Sequence, residues 1–209
     1  MPNWCNNVLT LTHEDPAMIT RAKDALDRGE FLQEFIPVPE QLKIVAGCVG
    51  DPVEQAKLEA DTARNREELG YGNWYDFCVN EWGTKWDCGE AGNSDINPND
   101  PTMLTTGFDT AWSPPIAAYE KLVDLGFSVK AGYYESGMAF TGLWEDGEDD
   151  FYDLSNLSSA EVAQQLPTGL DDLFGISECI AEYEAEQEEE ELTEWIKDGA
   201  EKKAQLIAE

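Results

Sequence analysis

Apolar and polar positions alternate from Trp4 to His13, with β-branched residues among them, and this period of two predicts a strand. Asp15-Pro16 supplies an N-cap and a proline suited to a first helical turn. Ile19, Ala22, Ala25 and Leu26 then recur at helical spacing, and Gly29 ends the segment. Phe31 to Val38 is mixed, and Pro37 and Pro39 exclude a central strand there. Residues 53–69 are polar and helix-favouring, with little apolar face. Asn73 to Trp82 predicts an aromatic-rich helix ended by Gly83, Lys85 to Cys88 a short strand, and Glu90 to Pro101 a loop.

Met103 to Thr110 is the next predicted strand. Ser113-Pro114-Pro115 opens a helix, with the serine as cap, Ile116, Tyr119, Leu122 and Val123 as core face, and Gly126 as its end. Phe127 to Tyr134 and Met138 to Trp144 read as a hairpin about Glu135-Ser136-Gly137. After Trp144 the strand pattern gives way to acidic sequence. A capped helix over Ser158 to Leu166 is broken at Pro167-Thr168-Gly169, and helix resumes from Leu173 to the C-terminus. With an insertion at about 30–83 and the last strand set aside, the order is βαββαβ. The expected fold is α+β and ferredoxin-like (split βαβ), an antiparallel sheet with helices on one face and a helical insertion. Residues 1–145 form this domain, and 146–209 an acidic, mainly helical extension.

Charge changes the picture most. The chain has 209 residues with 44 acidic and 13 basic side chains, a net charge of −31. Such a surface repels phosphate, which argues against direct nucleic-acid binding and against contact with an anionic membrane. Disorder is excluded by 42% apolar and 11% aromatic residues. The excess is localised: residues 131–196 contain 19 acids and no Lys or Arg, whereas residues 1–130 hold 22 acids and 10 bases. No apolar run is long enough to span a membrane, and the N-terminus lacks the basic and apolar regions of a secretory signal.

Five cysteines, an odd number without Cys-x-x-Cys, argue against a disulfide framework and a zinc knuckle. Cys78 and Cys88 are expected to be buried thiols rather than a pair. His13 is the single histidine and reads as an exposed strand-end residue beside Glu14-Asp15. Neither an imidazole metal site nor a catalytic residue is assigned, and no cofactor is expected.

Several segments are distinctive: Met1-Pro2-Asn3-Trp4-Cys5-Asn6-Asn7, Phe35-Ile36-Pro37-Val38-Pro39, Gly72-Asn73-Trp74-Tyr75-Asp76-Phe77-Cys78 and Trp82-Gly83-Thr84-Lys85-Trp86-Asp87. Phe108-Asp109-Thr110-Ala111-Trp112-Ser113-Pro114-Pro115 and the hairpin Tyr134-Glu135-Ser136-Gly137-Met138-Ala139-Phe140-Thr141-Gly142 complete the set. In this order, over residues 1–145, the chain resembles the YubB/Api-type family of phage- and plasmid-borne proteins, which carry a ferredoxin-like domain. The resemblance implies a mobile-element origin and the cytoplasm of a bacterial host. It implies no catalytic residue.

Two surfaces are candidates for function. Trp74, Trp86 and Trp112, with Asp76 and Asp87, would suit an aromatic pocket for a base or sugar. The competing reading is a core of large rings whose indole N–H groups meet Asp76, Asp87 or Asn73. Asn3, Asn6 and Asn7 are expected to tie the strand start to a neighbouring loop. Asp76, Asp87, Asp109 and Glu135 are read as hydrogen-bonding groups rather than an acid/base set. The second surface is acidic: Glu145, Asp146, Glu148, Asp149 and Asp150, then Glu182, Glu184, Glu186, Glu188, Glu189, Glu190 and Glu191. The first run lacks the spacing of an EF-hand, so no calcium site is assigned.

Carboxylates on successive helical turns approach the charge density of duplex DNA, one charge per ~1.7 Å. The leading expectation is a phage or mobile-element inhibitor that mimics nucleic acid and blocks a host DNA- or RNA-binding defence protein through its basic groove. The alternatives are a small-ligand or nucleotide-binding module, or an enzyme, using the aromatic-rich domain, a solvated tail, and an adaptor whose acidic helices fold on a basic partner.

Overall fold

The computed structural model describes residues 3–89, 92 and 94–208, with side chains as far as Lys197. Met1, Pro2, Glu209 and three residues of the expected 90–101 loop (Glu90, Ala91 and Asn93) lie outside the described residues. The chain divides into two units, Met1–Asp153 and Leu154–Glu209.

The first unit runs β1 (Trp4–Thr12), α1 (Pro16–Asp27), α2 (Phe31–Phe35), a 3-10 turn (Glu40–Leu42), α3 (Pro52–Leu69) and α4 (Trp74–Glu81). It continues with β2 (Asp95–Ile96), β3 (Met103–Ala111), α5 (Ile116–Asp124), β4 (Ser128–Glu135), β5 (Phe140–Glu145) and β6 (Glu148–Asp153). The result is a mixed α+β unit on a six-stranded antiparallel sheet in the order β2-β3-β1-β4-β5-β6.

The alternation in β1 decides which face is covered. Cys5, Asn7, Leu9 and Leu11 are buried, and the register sets Leu9 beside Thr106 and Ala131, so these side chains share one face. The apolar stripes of α1 (Ile19, Ala22, Leu26) and α5 (Ala118, Tyr119, Leu122) join that face in one core. Asp15 caps α1 by accepting from the Ala17 N–H at 2.9 Å. Asn7 is a buried polar residue on the covered face. Its amide donates to the Cys5 carbonyl at 2.8 Å and to Thr110 Oγ1 at 2.9 Å, so its burial is compensated. Asn6 donates across the sheet to Asp109 Oδ1 at 2.7 Å. These two asparagines thus join strand to strand rather than strand to loop.

Three local expectations are corrected. Lys85 to Cys88 forms bends rather than a strand, and the pairing it was expected to supply comes from Asp95–Ile96, inside the expected loop. Ser113 does not cap α5. Pro115 occupies that position, and Ser113 Oγ donates instead to the Gly83 carbonyl at 2.6 Å. The strand pattern does not end at Trp144 either. Asp146 and Gly147 both adopt positive φ, forming the primed turn that matches strand twist, and β6 pairs with β5 along its length. The boundary expected at 145/146 therefore falls inside a hairpin, and the unit extends to Asp153.

Gly142 on β5 carries a steric requirement. Tyr133 on β4 lies across it, and Tyr133 Oη donates to Asp149 Oδ1 on β6 at 2.8 Å. A Cβ at Gly142 would collide with Tyr133 Oη and stand 2.8 Å from the Asp150 carbonyl oxygen.

The second unit contains α6 (Ser159–Gln165), α7 (Thr168–Phe174) and α8 (Ile176–Ala208). Ser158 and Glu161 make a reciprocal capping box on α6. Gly175 turns the chain in the left-handed region between α7 and α8. Val162, Leu170 and Ile176, one on each helix, are buried. Among the described residues no helix is long and apolar enough to cross a membrane.

Gly142→Ala is expected to destabilise the first unit by about 1–3 kcal/mol through overpacking. In a Tyr133→Ala background the same change should cost less but not nothing, because the ring is gone while the Asp150 carbonyl oxygen stays 2.8 Å from the added Cβ. Urea unfolding of the two singles and the double checks this coupling.

Candidate functional site

Of the five residues expected to line an aromatic pocket, Trp74, Asp76 and Asp87 are engaged in local structure. Trp74 packs edge-on against Tyr75 at 5.9 Å and against the core. Asp76 accepts from the Gly72 N–H at 3.3 Å and faces Arg66 at 3.5 Å. Asp87 accepts from the N–H groups of Leu32 (2.9 Å), Gln33 (2.8 Å) and Cys88 (2.8 Å), and so closes the N-terminus of α2. Burial pushes its carboxyl above the usual range, while these three hydrogen bonds pull the other way. The all-core reading is corrected too. The buried tryptophans are Trp82 and Trp144, and Trp82 Nε1 donates to the Ile36 carbonyl rather than to a carboxylate.

Trp86 and Trp112 are instead 40% and 49% exposed, and Trp4, at the start of β1, is 48% exposed. Trp4 and Trp86 lie 6.2 Å apart, and Lys85 Nζ sits 4.4 Å from the Trp86 ring and 5.9 Å from the Tyr75 ring. Trp86 and Trp112 lie on segments that hydrogen bonds join: Thr84 Oγ1 donates to the Ala111 carbonyl at 3.1 Å, and Ser113 Oγ to the Gly83 carbonyl. Trp112 holds φ at +74°, a conformation that disfavours a bulky side chain. Its N–H donates to the Asn3 carbonyl at 3.0 Å, which pins the strained residue. The period of two and the tryptophan count reveal neither Trp4 nor Tyr75 as part of this surface. Their grouping depends on the path of the insertion.

Asp109 and Glu135 stand on opposite faces of the sheet, since Asp109 pairs with Asn6 and Glu135 with Cys5. Glu135 is buried and accepts from the Gly137 and Met138 N–H groups, holding the β4–β5 turn. These four carboxylates therefore each serve a separate local structure. Among the described residues no group of His, Cys, Asp and Glu is placed to hold a metal ion. All five cysteines are free, with Cys5, Cys78 and Cys88 buried, and burial pushes the Cys5 and Cys78 thiols up to about 12.

The acidic residues separate into two kinds. Glu145 pairs with Lys130 at 3.0 Å, and Asp146 accepts from the Val129 N–H (2.7 Å) and Ser128 Oγ (2.9 Å). Asp149 accepts from Tyr133, and Glu184 accepts from the Ser159 N–H (3.0 Å) and Oγ (2.6 Å) at the start of α6. Those two Ser159 bonds hold the Glu184 carboxyl below the usual range. These acids maintain turns and caps. Glu148 and Asp150 on β6, and Glu182, Glu186, Glu188, Glu189, Glu190 and Glu191 on α8, are exposed.

The chain matches no family model and no curated protein. Among solved structures it is similar to the api92 protein of Yersinia pseudotuberculosis, of the family DUF1281, at 12% identity and a TM-score of 0.34. That match covers 73% of this chain and 98% of the other. A likeness so distant assigns neither fold nor function.

Two outcomes test the local geometry. At Trp112 glycine fits the positive φ and alanine does not, so Trp112→Gly should be more stable than Trp112→Ala by about 1 kcal/mol, the reverse of their usual order. Thermal unfolding of the two variants measures it. At Asp87 the raised native pKa means that the folded state binds its proton more tightly than the unfolded state does. Stability at this site therefore rises as pH falls from the native pKa toward the ordinary value of 3.8. The stability of the wild type relative to Asp87→Asn should grow as the pH is lowered from neutrality through that window. A gap that shrinks on acidification contradicts the assignment.

Proposed function

We propose that this protein is a phage or mobile-element inhibitor whose acidic surface imitates nucleic acid and occupies the basic groove of a host DNA- or RNA-binding defence protein. The observation that carries the reading is the continuity of α8 through its glutamates. From Glu182 to Glu194 one helix carries eight carboxylates. At a rise of ~1.5 Å per residue they average about one charge per 2–2.5 Å of axis, against ~1.7 Å in duplex DNA. Seven of the eight belong to no cap or ion pair among the described residues, Glu184 being the exception. Like charges at i,i+4, such as Glu182/Glu186 and Glu186/Glu190, each cost a few tenths of a kcal/mol. A row held against that repulsion is ready to gain from a cationic partner. The resemblance of residues 1–145 to YubB/Api-type proteins supports the mobile-element origin, and the bacterial cytoplasm follows as the compartment.

We read the first unit as ferredoxin-like. Supporting that name, β1, α1, β2, β3, α5 and β4 follow one another as βαββαβ, with α2–α4 as the helical insertion. Their sheet order β2-β3-β1-β4 is antiparallel throughout, and β5 and β6 extend it. A second reading has its own observation. Exposed Trp4 and Trp86, 6.2 Å apart with Lys85 over the Trp86 ring, and exposed Trp112 present ring faces on which a base or another planar ligand would stack. No catalytic role is assigned to either surface.

Reversal of Glu186, Glu188, Glu189 and Glu190 to Lys is expected to leave the circular dichroism spectrum unchanged. Proteins captured from a bacterial host at low salt should be nucleic-acid binders that release DNA when the wild-type chain is added. The reversed variant should lose that competition, and moderate salt should weaken the wild type. Undiminished competition by the reversed variant would sink the reading. Loss of binding with Trp86→Ala and Trp112→Ala instead would favour the aromatic surface.

A further inference from the structure

Strand β6 is the last strand of the sheet, exposed along nearly its whole length, with one backbone edge outside the ladder. An apolar groove of about 460 Å³ adjoins it, between the sheet and the start of α5. Its walls include Phe140, Phe151, Pro114 and Ile116, and its charged lining residues are Glu120 and Asp149. The Phe140 and Phe151 rings lie 5.6 Å apart, and Phe151 is 56% exposed. Gly83 and Ser113, hydrogen-bonded to each other, also line the groove. The wall is fixed rather than adaptable, since Tyr133 is held across Gly142 by Asp149.

The alternation of β6 selects what can join it. Asp149 and Phe151 point to the groove side, while Glu148, Asp150 and Tyr152 point to the other face. A second copy of β6 would bring carboxylates opposite carboxylates, which is unfavourable across a ladder. A segment alternating apolar and basic residues meets the reverse situation.

We propose that β6 and its groove form a docking edge for an extended segment of a basic partner protein. The segment adds a further strand to the sheet through main-chain hydrogen bonds. Its apolar side chains enter the groove beside Phe151, and its alternate Lys or Arg side chains face Glu148 and Asp150. This edge is independent of the reading given to α8.

The probe is a short synthetic peptide alternating Val and Lys, mixed with the full-length chain. Amide hydrogen exchange should slow at residues 148–153 on binding. A peptide of the same composition with its valines and lysines in separate blocks should bind weaker by about tenfold or more. The same loss is expected when the alternating peptide is N-methylated at every second residue, and for Phe151→Ser, a position 56% exposed, with its circular dichroism spectrum matching the wild type. The variant with four α8 reversals should retain the β6 protection, which separates this edge from the acidic helix. Equal binding of the blocked peptide, protection confined to α8, or no binding at all would each overturn the proposal.

Discussion

Strand β1 pairs along its length with β3 on one side and β4 on the other, and the first unit is organised by that double pairing. Because side chains alternate across a strand, one register commits Cys5, Asn7, Leu9 and Leu11 to the covered face and Trp4, Asn6, Val8 and Thr10 to the other. The buried faces of α1 and α5 follow from it. Asn7 adds specificity to the register, since its amide meets Thr110 Oγ1 on β3 only when Cys5 and Thr110 are paired. The open face and the outer strand β6, whose edge is unpaired, are what this arrangement leaves over.

Negative charge is used in two ways in this molecule. One set of carboxylates is consumed by backbone N–H groups: Asp15 at α1, Asp51 at α3, Asp87 at α2, Asp146 at the β5–β6 turn and Glu184 at α6. Each satisfies donors that the chain could not pair within its own element. The other set, concentrated on α8, satisfies nothing internal and opposes its own helix. The two sets are chemically identical and differ only in whether a donor lies within reach.

Much of the first unit was legible because its signals are local. The Asp15-Pro16 start, the stripe of α1 and the start of α4 at Asn73 each occupy a few consecutive residues. The extension of the sheet was legible as well, in Asp146-Gly147, a dipeptide that favours hairpins, followed by Phe151 and Tyr152. The acidity of Glu145 to Asp150 masks it, although an edge strand exposed to water tolerates charge. The strand expected at Lys85–Cys88 failed for the opposite reason. Its alternation is real, but Asp87 is drawn to the N-terminus of α2, 55 residues earlier in the chain, and the segment bends to reach it.

The sequence by itself determined the α+β class, the starts of α1, α4 and α6, the central strands and the place of the excess charge. All of these depend on periodicity or on neighbours within a turn. Tertiary structure alone decided which tryptophans are buried, which carboxylates are spent as caps, and that Trp112 is held at a positive φ. It also decided that an apolar groove opens beside an acidic edge strand. Those outcomes depend on residues tens of positions apart meeting in space, and a linear pattern carries no record of which side chain arrives first at a shared donor or a shared cavity.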